Sequence, residues 1–359
     1  MIIDKERFLG VLRKPARLTE FELRDWDAFL PMANQVEILP YLIARLDAAG
    51  LADSLPQRIA FHLDSARLRS RQQQRVAHWE VAQLDTLLVN TGVPIVLLKG
   101  AAYLFSTPEI AMGRMYSDID VMVPKASIQE VERILKRNGW EQPEELADQE
   151  QYFKRWMHEL LPLIHKRRGT KVDLHHNILP SVDALQFDPK TLFEHARPID
   201  EGSRIHTLAP VDMVLHNIVH IFRNGDYQRA LRDLVDLDRL IEKFSREEGN
   251  FFEKFMSRTE ELNLLTPCYL GFRYAEKYLK TPIPAENVAR VRKGRPVWPP
   301  VWLIDRLFEF ASLPTGLTRR EKVRRISLRV LQRYPLNLLR ETVLPKLERK
   351  GIVLMHPRY

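Results

Sequence analysis

The sequence predicts an α+β protein in which a small mixed β-sheet domain is flanked by N-terminal and C-terminal helical regions. Short apolar runs of strand length alternate with short helical patterns between residues 91 and 205, and only there. On both sides of this stretch, apolar residues recur every three or four positions, as on one face of a helix. We therefore expect a helical region over 1–90, the sheet domain over 91–205 and a second helical region over 206–359.

The N-terminal region favours helices throughout. Apolar residues fall at helical spacing over 23–30 and again over 36–46, and Gly50 ends the second stretch. A long and largely polar stretch over 56–90 then predicts one helix, which ends close to Gly92. This helix leads directly into the first predicted strand.

The central domain contains the predicted strands. The first is followed by a short helix over 100–105, and an amphipathic helix over 127–138 ends at Gly139. A turn at 167–170 joins the last two strands. The predicted strands cover 93–98, 118–123, 152–157, 161–165 and 171–175.

The C-terminal region again shows helical periodicity. Five prolines within 281–300 indicate a linker or an extended surface loop, and two or three further helices are expected after it. The clearest helices are predicted over 210–222, 227–244, 251–262 and 267–278.

Composition restricts the class of protein. With 45% hydrophobic and 28% charged residues, the chain has the balance of a soluble protein with a sizeable core. The single cysteine, Cys268, excludes an internal disulfide and a cysteine-rich zinc module. No signal-peptide pattern and no apolar run of membrane-spanning length is present, so a cytoplasmic protein without membrane contact is expected.

The positive charge is concentrated near the C-terminus. The whole chain carries +8, whereas residues 290–359 hold 17 lysines and arginines against 5 acidic residues. Such a basic region can attract RNA or another polyanion. A solvated basic face is the favoured interpretation, because aromatic residues are not interleaved with the charges.

Three aspartates form the main candidate catalytic site. Asp118 and Asp120 are two residues apart on a predicted strand, so their side chains should point to the same face. Asp173 lies between apolar residues on a later predicted strand. If the two strands are neighbours, three carboxylates converge, and such a set suits Mg²⁺, which prefers oxygen ligands. A salt bridge from Asp173 to Arg167 or Lys171 is the structural alternative.

A candidate anion site lies upstream of these acids. Lys99, Gly100 and Ala101 follow an apolar strand and open a short helix, where backbone N–H groups and the positive end of the helix dipole can receive a phosphate. Lys99 or Arg114 could add a charged contact to a triphosphate. For Lys99, a surface lysine at a strand end is an equally good interpretation.

These motifs carry a resemblance to known proteins. The order LLKGAA, GRMYSDIDVMV and KVDLHH resembles the nucleotidyltransferase superfamily of DNA polymerase β. It is more closely similar to a large bacterial family of uncharacterised nucleotidyltransferases, which carry a Leu-Lys-Gly motif and an Arg-x-x-x-Asp-Ile-Asp motif. Here Arg114 lies four residues before Asp118. The resemblance implies a polymerase β palm-like sheet.

The resemblance also implies an activity. An NTP, with ATP as the default, would donate a nucleoside monophosphate to an acceptor hydroxyl or phosphate. Asp118, Asp120 and Asp173 would bind two Mg²⁺ ions, with Mn²⁺ as an alternative, and Gly100 with Ala101 would hold the phosphates. The acceptor stays open between a small molecule, a protein and RNA. The alternatives are a non-catalytic nucleotide-sensing or interaction module on the same fold, or an RNA-modifying transferase.

One departure from the superfamily pattern and three histidines bear on the site. Ala101 stands where the superfamily usually has serine, which leaves only a backbone N–H for a phosphate. His175 lies one strand step beyond Asp173 and either lines the site or is a buried histidine. His216 and His220, four residues apart on a predicted helix, have metal-ligand spacing, but core or hydrogen-bonded histidines are favoured because a clear third ligand is missing.

Overall fold

A seven-stranded mixed β-sheet organises the fold in the computed structural model, which describes residues 3–314 except 182, 184, 224–226, 228 and 298. The order of the strands across the sheet is β3-β4-β5-β2-β1-β7-β6. The strands are β1 Ile95–Leu97, β2 Ile119–Met122, β3 Trp140–Glu141, β4 Leu163–His165, β5 Lys171–His175, β6 Arg197–Pro198 and β7 Ile205–Thr207.

The middle of this sheet is buried. Strand β2 pairs with β5 in parallel and with β1 in antiparallel orientation, and β1 pairs with β7 in parallel. Ile95, Val96 and Leu97 of β1 are all 0% exposed. Both faces of β1 are therefore covered, which explains why the strand is a continuous apolar run instead of an alternating one.

Helices precede the sheet, connect its strands and follow it. They include the long helix and the amphipathic helix expected from the sequence, and the α+β class is confirmed. The helices before β3 are α1 Lys5–Arg13, α2 Leu23–Gln35, α3 Leu39–Ala48, α4 Ala60–Leu88, α5 Lys99–Ser106, α6 Pro108–Ala111 and α7 Ile128–Arg137. Those after β3 are α8 Glu150–Trp156, α9 Lys190–His195, α10 Pro210–Arg223, α11 Ala230–Glu247, α12 Phe251–Glu261, α13 Leu265–Tyr274, α14 Ala285–Val291 and α15 Val301–Ser312.

Buried polar contacts join the helical regions to the sheet. Glu80 of α4 is 0% exposed and accepts hydrogen bonds from Arg168 Nε at 2.6 Å and from Thr170 Oγ1 at 2.6 Å, at the turn between β4 and β5. Arg114, just before β2, donates from Nε to Asp236 Oδ2 of α11 at 2.8 Å. The sheet domain is thus bound to helix α4, which precedes it in the sequence, and to helix α11, which follows it.

Two predicted elements are wrong, and the three strands β3, β6 and β7 were missed. Residues 152–156 of the strand predicted over 152–157 form the last part of helix α8. The aromatic residues favour a strand locally, but Glu150 and Lys154 form an i,i+4 ion pair of 2.7 Å. The segment over 281–300 contains helix α14, which begins directly after Pro284 and buries Val291. The missed strands have only two or three residues each, and none of them belongs to an apolar run like that of β1, so no pattern marks them in the sequence.

Two observations concern the three regions predicted from the sequence, 1–90, 91–205 and 206–359. Strand β7 runs across the expected boundary at residue 205 and pairs with β1. Helix α15 is one of the two or three helices expected after the proline-rich segment, and the basic C-terminal stretch beyond residue 314 lies outside the described residues. Within the described part of the chain, none of the helices combines the length and the hydropathy needed to cross a bilayer.

Candidate active site

The three aspartates lie at neighbouring positions of two paired strands. Asp120 of β2 is the register partner of Asp173 of β5 in a parallel pair, and Asp118 lies one residue before β2. The adjacency of the two strands, on which the convergence of the carboxylates depended, is therefore present. The side chains of Asp118, Asp120 and Asp173 are 25%, 3% and 14% exposed, so the group lies in a partly covered recess with Asp120 at its base.

Two lysines neutralise these carboxylates. Lys99 Nζ donates to Asp120 Oδ1 at 2.7 Å. Lys171 Nζ lies 2.8 Å from Asp173 Oδ2 and 3.5 Å from Asp118 Oδ2, so one ammonium group serves two aspartates. The ion pair between Asp173 and Lys171 that the sequence left as an alternative is present. Each of the three aspartates thus contacts a lysine ammonium group. A metal ion could take the place of that ammonium group at the carboxylate oxygens.

The acids differ in their affinity for protons. Burial favours protonated Asp120, but Lys99 and His175 outweigh it and hold the pKa of Asp120 well below its ordinary value. Burial and the neighbouring charge of Asp120 raise the pKa of Asp173 from 3.8 to about 6, against the opposing effect of Lys171. Asp120 is therefore always a carboxylate near neutral pH, whereas Asp173 can exchange a proton there.

His175 lines the site. Its Nε2 lies 3.0 Å from Asp120 Oδ1 and 3.3 Å from Glu159 Oε2, and the residue is 1% exposed. Burial alone would lower the pKa of His175, but Glu159 and Asp120 raise it overall. The sequence left two interpretations of His175, a residue lining the site and a buried histidine, and its position agrees with both.

The turn between β1 and α5 brings Lys99 and Gly100 to the same place. Lys99 has φ +48°, in the left-handed region that non-glycine residues rarely adopt, and this turn directs its side chain to Asp120. Gly100 and Ala101 follow in the first turn of α5, and Ala101 is 1% exposed. The N–H groups of a first helical turn have no acceptor within the helix, so they are the donors that a phosphate would use.

Arg114 lies beneath this turn. A Cβ atom on Gly100 would overlap the Arg114 guanidinium and lie 2.9 Å from its central carbon, so glycine is required for the guanidinium to fit. Arg114 is 9% exposed and is bound to Asp236, 122 residues further along the chain. The structure therefore brings Arg114 to the proposed phosphate site but pairs it with a carboxylate.

The histidines of α10 lie behind Lys99. His216 is 3% exposed, and His220 Nε2 lies 3.5 Å from Asp233 Oδ2 of α11. Burial, and after it the charge of Lys99, lowers the pKa of His220 to about 3 and that of His216 well below its ordinary value. Their positions agree with the favoured interpretation as core or hydrogen-bonded histidines.

Comparison with known proteins gives the family. A model of the uncharacterised nucleotidyltransferase family matches residues 22–280. The chain belongs to that family. The match includes the whole sheet, helices α2 to α13 and all residues of the candidate site. Searches among curated proteins and among solved structures return no significant match.

Two residues beside this nucleotidyltransferase-family site were missed in the sequence. Among the described residues, His158, Glu159 and His175 form a group whose ligand atoms all lie within 4.8 Å of one another. Only His175 was named from the sequence. His158 and Glu159 were overlooked because they lie between predicted strands, although a histidine next to a glutamate was a visible signal. The three aspartates form no such close group here, where the ammonium groups of Lys99 and Lys171 lie at their oxygens.

Proposed function

We propose that this chain is a metal-dependent nucleotidyltransferase. It transfers a nucleoside monophosphate from an NTP, with ATP as the first donor to test, to an acceptor hydroxyl or phosphate and releases pyrophosphate. The family membership supports the reaction class. The observation that carries the proposal is the parallel register of Asp120 with Asp173, with Asp118 beside them, since it brings three carboxylates to one recess.

The donor set of the recess fits a divalent metal ion. Asp118, Asp120 and Asp173 offer the oxygen ligands that Mg²⁺ and Mn²⁺ prefer, and two of these acids already share one ammonium group, that of Lys171. We assign all three residues as metal ligands, with two ions as in in-line phosphoryl transfer. When bound, the ions stabilise negative charge on the transferred phosphate and on the leaving pyrophosphate.

The chain's own residues would position the substrates. We assign phosphate binding to the N–H groups of Gly100 and Ala101 and to the ammonium group of Lys99. Lys99 leaves Asp120 and binds a phosphate oxygen once a metal ion neutralises the Asp120 carboxylate. Arg114 supports this turn from below Gly100 and adds positive charge under it. Ala101 offers no hydroxyl, so its contribution is limited to its backbone.

Asp173 is the residue suited to move a proton. In the metal-free chain its pKa is about 6, close to neutral pH, and a bound metal ion would lower that pKa and keep Asp173 ready to accept a proton as a carboxylate. The acceptor oxygen forms a bond to the α-phosphorus of the NTP, the bond from that phosphorus to the bridging oxygen breaks, and pyrophosphate leaves. The proton of an acceptor hydroxyl passes to the Asp173 carboxylate.

Calorimetry with Mg²⁺-ATP tests the binding part of this proposal. The native chain is expected to bind the complex, and the double variant Asp118→Ala/Asp120→Ala is expected to lose that binding. Asp200→Asn serves as a matched control, because Asp200 is an exposed aspartate in a surface turn. Absence of binding by the native chain, or equal binding by the native chain and the double variant, contradicts the proposal.

A further inference from the structure

A short segment before β4 is fixed against the end of β5. Glu159 pairs with His175 in an isolated antiparallel bridge. On either side of it, Leu160 N–H donates to Leu174 O at 2.8 Å and His176 N–H donates to His158 O at 2.8 Å. The backbone therefore holds His158 and Glu159 in a defined position relative to His175 without help from their side chains.

This arrangement brings two imidazoles and one carboxylate together. His158 and His175 are 2% and 1% exposed, and their ring centroids are 5.4 Å apart. Glu159 Oε2 lies 3.3 Å from His175 Nε2, and one ligand atom from each of the three residues lies within 4.8 Å of the other two. The Glu159 side chain keeps 24% of its exposure, so the group can be reached from solvent.

We propose that His158, Glu159 and His175 bind a first-row transition metal ion, at a site separate from the three aspartates. Two histidines and one carboxylate are the protein ligands of many catalytic zinc sites and of non-haem iron sites, which leave further positions open for water. Imidazole nitrogen favours zinc, copper, iron or nickel, whereas an all-carboxylate set favours magnesium or manganese. The two groups of ligands therefore differ in the ion that each selects.

The surroundings suit this ligand set. His158 is 2% exposed, and such burial favours neutral imidazole, the form that binds metals. Asp120 lies 3.0 Å from His175 Nε2 and so borders the group, while Lys99 is held by Asp120. An ion at this site would lie next to the proposed nucleotide site without using Asp118 or Asp173.

Metal titration of the full chain tests the site without any assay of transfer. After treatment with EDTA and its removal, the native chain in excess Mg²⁺, which occupies the three aspartates, is expected to bind about one Zn²⁺ in calorimetry, and Co²⁺ is expected to give visible absorption bands. Loss of a second-shell partner already weakens metal sites by 10–100-fold, so His158→Gln and Glu159→Gln should each lower the Zn²⁺ affinity by about tenfold or more.

Control variants separate this site from the aspartates. Asp173→Asn and His206→Gln are expected to keep Zn²⁺ affinity, since Asp173 is not a ligand here and His206 lies on β7. Thermal melts of each variant show whether it folds, and Glu159→Gln preserves the size of the side chain. Absence of Zn²⁺ binding by the native chain overturns the proposal. Binding that survives both His158→Gln and Glu159→Gln, or that is lost in Asp173→Asn, overturns it as well.

Discussion

Lys99 is paired with Asp120, the most buried of the three site aspartates. Its ammonium group and Asp120 form a 2.7 Å ion pair in which the two side chains are 17% and 3% exposed. Removing one partner of a buried pair leaves an uncompensated charge, which typically costs 3–5 kcal/mol. The stability of the metal-free protein should therefore depend on Lys99.

We expect Lys99→Met to lower the free energy of unfolding by about 3 kcal/mol in EDTA and by clearly less in Mg²⁺, because a bound cation replaces the lost charge. Urea unfolding in the two buffers measures this difference. Lys171→Met is the control and should have a smaller effect, since the Lys171 side chain is 34% exposed. An equal loss in EDTA and in Mg²⁺ contradicts the expectation.

Asp173 gives a prediction about pH. Its pKa in the folded chain is about 6, above the ordinary 3.8, so between these values the folded protein holds more protons than the unfolded chain. Stability from this group is therefore fully present below pH 3.8 and falls as pH rises towards 6. In metal-free buffer, Asp173→Asn should raise the free energy of unfolding by about 2–3 kcal/mol at pH 8 and by little at pH 4. Denaturant titrations at both pH values measure the difference, and a pH-independent effect contradicts it.

Gly100 and Arg114 should depend on each other. Gly100→Ala places a methyl group against the guanidinium, which must move away from Asp236. We expect a loss of about 2 kcal/mol in the native chain and a smaller loss in an Arg114→Ala background, where the obstacle is gone. A double-mutant cycle by urea unfolding measures this coupling, and simple additivity of the two substitutions contradicts the contact.

At the level of single residues, the sequence was enough to pick out the three acids and one of their partners, Lys171, but not the others. Alternation along a strand was enough to put Asp118 and Asp120 on one face, and an apolar setting singled out Asp173. The ion pair between Arg114 and Asp236 joins residues 122 positions apart, and no local pattern reports such a contact. Lys171 was visible as a neighbour of Asp173, but the second aspartate that it contacts depends on strand pairing.

At the level of elements, segments with a helical period or a continuous apolar run were predictable, and short strands without such a pattern were not. The strands β1, β2, β4 and β5 and the helices α4 and α7 follow their patterns closely. Strand β7 has only three residues, and its place is set by parallel pairing with β1. In α8, aromatic residues suggested a strand, but an i,i+4 ion pair accompanies the helix that forms.

Helix α14 provides a prediction at this level. The turn Arg292–Gly294 follows it, and a Cβ atom on Gly294 would lie 2.6 Å from the backbone nitrogen of Thr266 in α13. Backbone cannot move aside as a flexible side chain can, so Gly294→Ala should lower the free energy of unfolding by about 2–4 kcal/mol. Gly249→Ala is the matched control, because a Cβ there has no neighbour within 4 Å, and it should change stability by less than about 0.5 kcal/mol. Thermal or urea unfolding of the two variants compares them, and similar values contradict the packing argument.

At the level of the whole molecule, the helical regions help to build the candidate site. Helix α11 supplies Asp236, the partner of Arg114, and α10 places Asn217 Nδ2 3.3 Å from the Tyr103 hydroxyl of α5. On the other side, Glu80 of α4 fixes the turn that leads into β5. The family match over residues 22–280 includes every residue of these contacts.

Transfer of a nucleotide by this chain can be measured directly. The native chain is incubated with Mg²⁺, cell extract and ATP labelled at the α-phosphate, and the labelled molecules are separated. We expect the native chain to transfer the label to an acceptor with release of pyrophosphate, and the Asp118→Ala/Asp120→Ala variant, shown to be folded, to transfer none. Repeated absence of label with each of the four NTPs, or equal labelling by the native chain and the variant, would contradict the account.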